Sequence, residues 1–177
     1  MQKNWYIIYT KPKCEKKVAV SFTKKNIENF CPLNCIKIQS FRRSKTLQEL
    51  LFKSYVFVYI EESDISLLKQ VESVVSLVYW KGRPAIIKDK EIEAIKEFIT
   101  DYRDIKLEKT KVNVNGEARI VDGHSYSMEG KVFVLENKAV KVNLPSLGYI
   151  MVAKMEEESI FAREATILQN NSFSHSQ

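Results

Sequence analysis

The feature that most constrains this chain is an almost unbroken run of aromatic and β-branched residues near its start, Trp5-Tyr6-Ile7-Ile8-Tyr9, ended by Lys11-Pro12. Such residues suit a pleated backbone covered on both faces, and five of them cannot line one stripe of a helix and leave a polar side for water. The run predicts a buried strand that leaves its sheet through a loop.

An amphipathic segment follows. Cys14, Val18 and Phe22 recur at four-residue spacing while Glu15, Lys16, Lys17, Lys24 and Lys25 fill other positions, which predicts a helix from Cys14 to about Asn26 packed on the sheet. Cys35 to about Phe41 alternates apolar and polar residues, and Leu51 to Ile60 is dense in Phe, Tyr and Val, so both read as strands. Between them lies the cationic connection Arg42-Arg43-Ser44-Lys45. If the two strands pair antiparallel, it becomes a hairpin tip. Local sequence leaves two readings of that tip open, a nucleic-acid-facing finger and an ordinary soluble turn.

Ser63 is a candidate cap for a short helix to about Gln70, and Val74 to Tyr79 reads as a strand. Gly82 and Pro84 then interrupt regular structure. Asp89 is the candidate cap of a helix whose Ile92, Ile95 and Ile99 share one face, which completes a β-α-β-β-α-β-α unit near residue 100. Residues 101–115 are charged and aperiodic, and we place an interdomain linker there. Five short β-rich runs follow: 118–121, 131–135, 139–144, 149–153 and 165–168. They predict a small SH3-like barrel over 116–168, ahead of a frayed polar tail at 169–177. The expected fold class is α+β, with an antiparallel sheet flanked by helices over residues 1–100, then linker and barrel.

Charge is uneven along the chain. Residues 1–60 carry 12 Lys/Arg against three acids, within a net charge of +6 for the whole 177 residues. Such an excess steers encounter with polyanions, and a solvated basic surface with no partner is an equally good reading. Cys14, Cys31 and Cys35 are an odd set with one closely spaced pair, and His124 and His175 lie far along the chain, so no disulfide framework or zinc site is expected. No nucleophile with a positioned base is legible, nor a set of carboxylates for a metal, so neither catalysis nor a cofactor is expected. No apolar run approaches the roughly 20 residues a membrane span requires. With no signal-peptide pattern at Met1-Gln2-Lys3-Asn4-Trp5, the expected location is cytoplasmic and away from membranes.

Three segments, in order, resemble the NusG-like family, whose members join an N-terminal α/β (NGN) domain to a C-terminal KOW barrel. Trp5-Tyr6-Ile7-Ile8-Tyr9-Thr10 with Glu15 and Val18 looks like the opening strand and helix of that family. Leu51-Phe52-Lys53-Ser54-Tyr55-Val56-Phe57-Val58 looks like its Phe-Pro-Gly-Tyr-Val-x-Val strand, with Lys53 and Ser54 in place of Pro-Gly. Asp122-Gly123 with Met128-Glu129-Gly130-Lys131-Val132 resembles the Gly-x6-Gly spacing of a KOW motif, where His124 replaces the usual proline and Ser127 another glycine. The run Val140 to Tyr149 resembles specialised UpxY-type members, antiterminators of polysaccharide operons.

The resemblance implies a non-enzymatic, monomeric transcription elongation or antitermination factor, operon-specific in action. Its N-terminal domain would dock on the clamp helices of the largest RNA polymerase subunit through Trp5, Tyr6, Leu51, Phe52 and Tyr55. For Trp5 and Tyr6, core packing is an equally good reading. Arg42, Arg43 and Lys45 would face nearby DNA, and the barrel would recruit a ribosomal protein or a termination factor. The alternative is a KOW-containing RNA-binding or ribosome-associated protein, against which the mild charge of residues 117–168 weighs.

Overall fold

A computed structural model describes residues 2–40, 43–110, 124–128, 131–136 and 139–154. The chain opens with β1 (Lys3–Thr10), α1 (Glu15–Lys24), β2 (Glu28–Phe30), β3 (Leu33–Ser40), β4 (Arg43–Leu50) and β5 (Tyr55–Glu61). A 3-10 turn (Glu62–Asp64) leads into α2 (Ile65–Leu68), followed by β6 (Val74–Leu77), β7 (Tyr79–Trp80), β8 (Arg83–Pro84), β9 (Ile86–Ile87) and α3 (Asp89–Asp101). Then come β10 (Lys106–Lys109), β11 (His124–Met128), β12 (Lys131–Glu136), β13 (Ala139–Leu144) and β14 (Tyr149–Lys154).

The expected buried strand is the centre of the first sheet. β1 pairs antiparallel with β5 from Lys3 to Tyr9, with β6 from Ile8 to Thr10 and with β9 at Trp5 and Tyr6, in the order β2-β5-β1-β6. Because side chains alternate across a strand, β1 feeds two separate cores. Tyr6 and Ile8 join Val56, Val58 and Ile60 beneath Val18 and Phe22 of α1 and Leu68 of α2. Trp5 and Ile7 join Phe57 on the other face, beneath Ile92, Ile95 and Phe98 of α3. The second sheet, β10-β14-β13-β12-β11, is antiparallel throughout.

Several expectations are corrected. The strand beginning at Cys35 does not pair with the Leu51–Ile60 strand. Instead, β3 pairs with β4, from Leu33↔Leu50 to Ser40↔Arg43, as a separate two-stranded ribbon, while β5 pairs with β1 and β2. β4 escapes sequence reading because Arg43-Ser44-Lys45-Thr46-Leu47-Gln48-Glu49-Leu50 is largely polar, as a ribbon solvated on both sides can be. Arg43, Ser44 and Lys45, expected in the connection, belong instead to strand β4.

The two expected helix caps also differ. Ser63 lies within the 3-10 turn, and α2 has no side-chain cap. Helix α3 starts at Asp89 itself, and its entry is held by the Glu91 carboxylate, whose Oε2 accepts a bond from the Lys88 backbone N–H at 3.3 Å. Residues 106–109, within the expected linker, form β10 and pair with β14. The expected strands at 118–121 and 165–168, the glycines Gly123 and Gly130 and the polar tail lie outside the described residues, while β11 to β14 occupy the other expected β-rich stretch.

Candidate polymerase-docking face

Where β5 begins, the backbone bends sharply. Ser54 takes φ +63°, a left-handed conformation that costs a side-chain-bearing residue energy and that glycine adopts freely. Two hydrogen bonds hold it there. The Ser54 N–H donates to Glu15 Oε1 at 2.7 Å, and the Ser54 carbonyl accepts from the Thr10 N–H at 2.9 Å. Glu15 is almost wholly buried at the first turn of α1, so the carboxylate ties strand, helix and bend together. The replacement of Pro-Gly by Lys53-Ser54 therefore leaves a left-handed bend in place.

That bend sets Leu51, Phe52 and Tyr55 on the α3 side of the sheet. Phe52 meets Phe57 edge-on at 5.5 Å between ring centroids, and Phe57 continues to Phe30 at 6.2 Å. On its other side Phe52 meets Tyr149 of β14 at 6.1 Å, also edge-on. Tyr55 is half-buried and stands 6.1 Å from the more exposed Tyr9. Burial first, then the neighbouring Tyr149 and Tyr9 hydroxyls, hold the Tyr55 phenol above its usual pKa, so it is a neutral donor and acceptor at physiological pH.

The second sheet closes over this face. Val140, Val142, Leu144, Met151 and Ala153 belong to the same apolar cluster as Trp5, Leu51, Phe52 and the buried side of α3. Leu51 and Phe52 keep only 7% and 3% of their surface exposed. The turn between β13 and β14 adds a polar tie, for the Ser146 N–H donates to Glu91 Oε1 at 2.9 Å. Gly148, at φ +68°, completes that turn, and its carbonyl accepts a bond from the Thr110 N–H at 3.0 Å.

The five residues expected at a polymerase surface are thus not one surface in this structure. Tyr6 keeps 1% exposure and packs under α1, on the opposite side of the sheet from Trp5. Trp5 is buried against Tyr59 at 5.2 Å, with the Lys96 ammonium 5.4 Å from its ring. Leu51, Phe52 and Tyr55 do lie together. Their neighbours Tyr9 and Tyr149 were not singled out in the sequence, since nothing local distinguishes a strand-end tyrosine that meets a ring from one that meets water.

Of the cationic set, Lys45 is exposed on β4, Arg43 opens that strand, and Arg42 lies outside the described residues. The ribbon's root is fixed on the α3 exit. Asn34 exchanges two hydrogen bonds with the Ile105 backbone, at 2.8 and 3.1 Å, and Asp104 accepts from the Lys37 N–H at 2.9 Å while its own N–H reaches the Cys35 carbonyl. Among the described residues, no three His, Cys, Asp or Glu side chains are placed to hold a metal, and no helix is long and apolar enough to cross a membrane.

The structure thus joins an α/β domain to an antiparallel sheet through one apolar cluster that includes Leu51 and Phe52. The match of residues 3–96 to the family model for "Transcription termination factor nusG" covers more than half of the chain, and the chain belongs to the NusG family of transcription factors. It is 24% identical over 168 residues to the transcription termination/antitermination protein NusG of Streptococcus pyogenes serotype M3, covering 87% of this chain and 93% of that protein. The serotype M1 protein matches equally. Among solved structures, one described as "Domain interaction in Thermotoga maritima NusG" is 23% identical, with TM-score 0.45 and 88% and 99% of the two chains covered. A second, of an MjSpt4:Spt5 complex, is 17% identical with TM-score 0.32 and 85% and 99% coverage.

Proposed function

We propose that this protein is an operon-specific elongation or antitermination factor, monomeric in action, that docks on the RNA polymerase clamp helices through the face formed by Leu51, Phe52 and Tyr55, with Trp5 supporting it from beneath. Arg42, Arg43 and Lys45, on a ribbon anchored at its root, would approach DNA beside the polymerase. The C-terminal segment would fold as a KOW barrel and recruit a ribosomal protein or a termination factor. The likeness of Val140–Tyr149 to UpxY-type members supports specialised action at particular operons.

The observation that carries the reading is the ring contact between Phe52 and Tyr149. A clustered aromatic face is a common anchor for a protein partner, and here it is covered by the chain's own second sheet. We propose that the arrangement is a closed state that must part before polymerase docks. Differential affinity for the parted form would supply the driving force, at the expense of the buried contacts.

The test compares core polymerase binding by the wild-type chain, Tyr149→Ala and Tyr55→Ala. Tyr149→Ala, which loosens the cover, is expected to tighten binding, and Tyr55→Ala to weaken it. Absence of binding by all three folded proteins overturns the reading and points to ribosomes or free RNA. Unchanged affinity in Tyr149→Ala overturns the closed state alone.

A further inference from the structure

The exit of β1 is a corner held in an unusual backbone. Where β1 meets β6 its register shifts between Tyr9 and Thr10, and such a bulge turns a side chain out of the regular alternation. The Thr10 N–H donates to the Ser54 carbonyl and the Lys11 N–H to the Ser73 carbonyl, both at 2.9 Å. Ser54, Ser73 and the nearby Lys13 take φ +63°, +72° and +65°, left-handed values that side-chain-bearing residues rarely adopt. Strain of this kind persists only where the surroundings over-determine it, and it concentrates at ligand clamps and switch regions.

Two buried side chains meet at this corner with polar atoms left over. Thr10 has no exposed surface and Glu15 keeps 2%. Glu15 Oε1 accepts the Ser54 N–H, but Glu15 Oε2 and Thr10 Oγ1 meet no hydrogen-bonding group among the described residues. Both residues flank Ser54, one bonded to its N–H and the other, through its backbone, to its carbonyl. A buried oxygen without a partner is destabilising, the more so when it carries charge, and native folds satisfy nearly all of them.

The chemistry of the two oxygens selects what satisfies them. No side-chain cation does so, since the ion pair among the described residues joins Lys17 to Glu72 at the surface. The Cys31 thiol, held protonated by burial first and then by the Glu15 charge, brings no positive charge either. Glu15 Oε2 requires a donor, and Thr10 Oγ1 can use a donor or an acceptor. A water supplies two of each, and internal waters bridge buried groups of this kind. With both side chains inside the fold, a ligand here is the size of one water. A divalent cation would require six or more oxygens, and among the described residues no three His, Cys, Asp or Glu side chains converge.

We propose that a single internal water bridges Glu15 Oε2 and Thr10 Oγ1 and completes the corner that fixes the Ser54 bend. By holding that bend it sets where β5 starts at Tyr55, and with it the placement of Phe52 and Tyr55 on either side of Ser54. The site rests on burial and hydrogen bonding within the chain and does not rest on polymerase docking.

The test is a high-resolution crystal structure of the full chain, grown in a sodium salt and again in a potassium salt, together with cross-relaxation between water and the Thr10 methyl protons in solution. One ordered water within hydrogen-bond reach of both oxygens is expected, unchanged between the two salts, with a persistent water signal at the Thr10 methyl. Thr10→Val removes the hydroxyl at nearly constant volume. It is expected to lose that water and to raise the unfolding equilibrium constant about two- to twelvefold, the worth of one hydrogen bond, whereas Thr10→Ser keeps the water. A direct bond between the Thr10 hydroxyl and the Glu15 carboxylate, with no density between them, overturns the proposal. So does a ligand whose distances to the two oxygens change from sodium to potassium, which marks an ion. Absence of the methyl–water signal in the folded wild-type chain overturns it as well, and that measurement needs no variant to fold.

Discussion

The Glu91 carboxylate accepts the Lys88 backbone N–H with one oxygen and the Ser146 N–H with the other, so one side chain both starts α3 and holds the turn of the second sheet. It is largely buried, and each oxygen has its own backbone donor. Removing it leaves two amides without that acceptor. Glu91→Ala is expected to cost about 2.5–4 kcal/mol, the sum of about 1 for a weakened helix entry and about 1.5–3 for one charge-assisted bond. Hydrogen exchange at the Ser146 amide should accelerate together with that of α3's first turn. Exchange that quickens in α3 alone would mean that the turn is held by its apolar neighbours.

The two cores on either face of β1 should respond to truncation by amounts set by burial. Phe22 has no exposed surface beneath α1, and Phe22→Ala is expected to cost about 3–5 kcal/mol through the cavity it leaves. Ile95, equally buried under α3, should lose about 0.5–1.5 kcal/mol as Val. Urea denaturation with unchanged slope would verify both.

Ser54 offers a backbone test. Ser54→Gly relieves left-handed strain of about 1–2 kcal/mol and adds roughly 0.5–1 kcal/mol of unfolded-chain entropy. The thermal midpoint should therefore rise slightly or hold. Ser54→Val, β-branched at φ +63°, should destabilise by more than about 1 kcal/mol. A tolerated valine would show that the bend relaxes.

Burial, and then the nearby Glu15 charge, push the Cys31 thiol up to about 11. The thiol stays protonated in the folded chain while the unfolded chain ionises above roughly pH 8.5. Above that pH the unfolded state binds fewer protons, so this group's contribution to stability is complete below it and falls as pH rises toward 11. Alkylation of Cys31 at pH 8 should be slow and should speed up across that interval. Fast alkylation at pH 8 would contradict a protonated, partly buried thiol.

Much of the fold was legible where local chemistry and burial agree. The Trp5–Tyr9 run became the central strand, and the four-residue spacing of Val18 and Phe22 became the buried side of α1. The 3.6-residue pattern of Ile92 and Ile95 became that of α3. The polar strand β4 was not legible, because a solvated two-stranded ribbon imposes no apolar alternation on its outer partner. Nor was the Glu91 entry to α3, since a carboxylate three residues into a helix looks the same whether it faces water or closes a cap.

The sequence by itself determined the family, the α/β character of the first hundred residues and the presence of a β-rich second part, because each rests on short-range periodicity and motif spacing. Only the tertiary structure decided which aromatics share a face. It joined Phe52 to Tyr149, brought Ser146 to Glu91 and left Trp80 in water. These are outcomes of strand register and of packing between residues far apart in the chain, and no local window carries either. An aromatic run can end as core, covered face or exposed surface, and what separates the three is which other surface arrives to bury it.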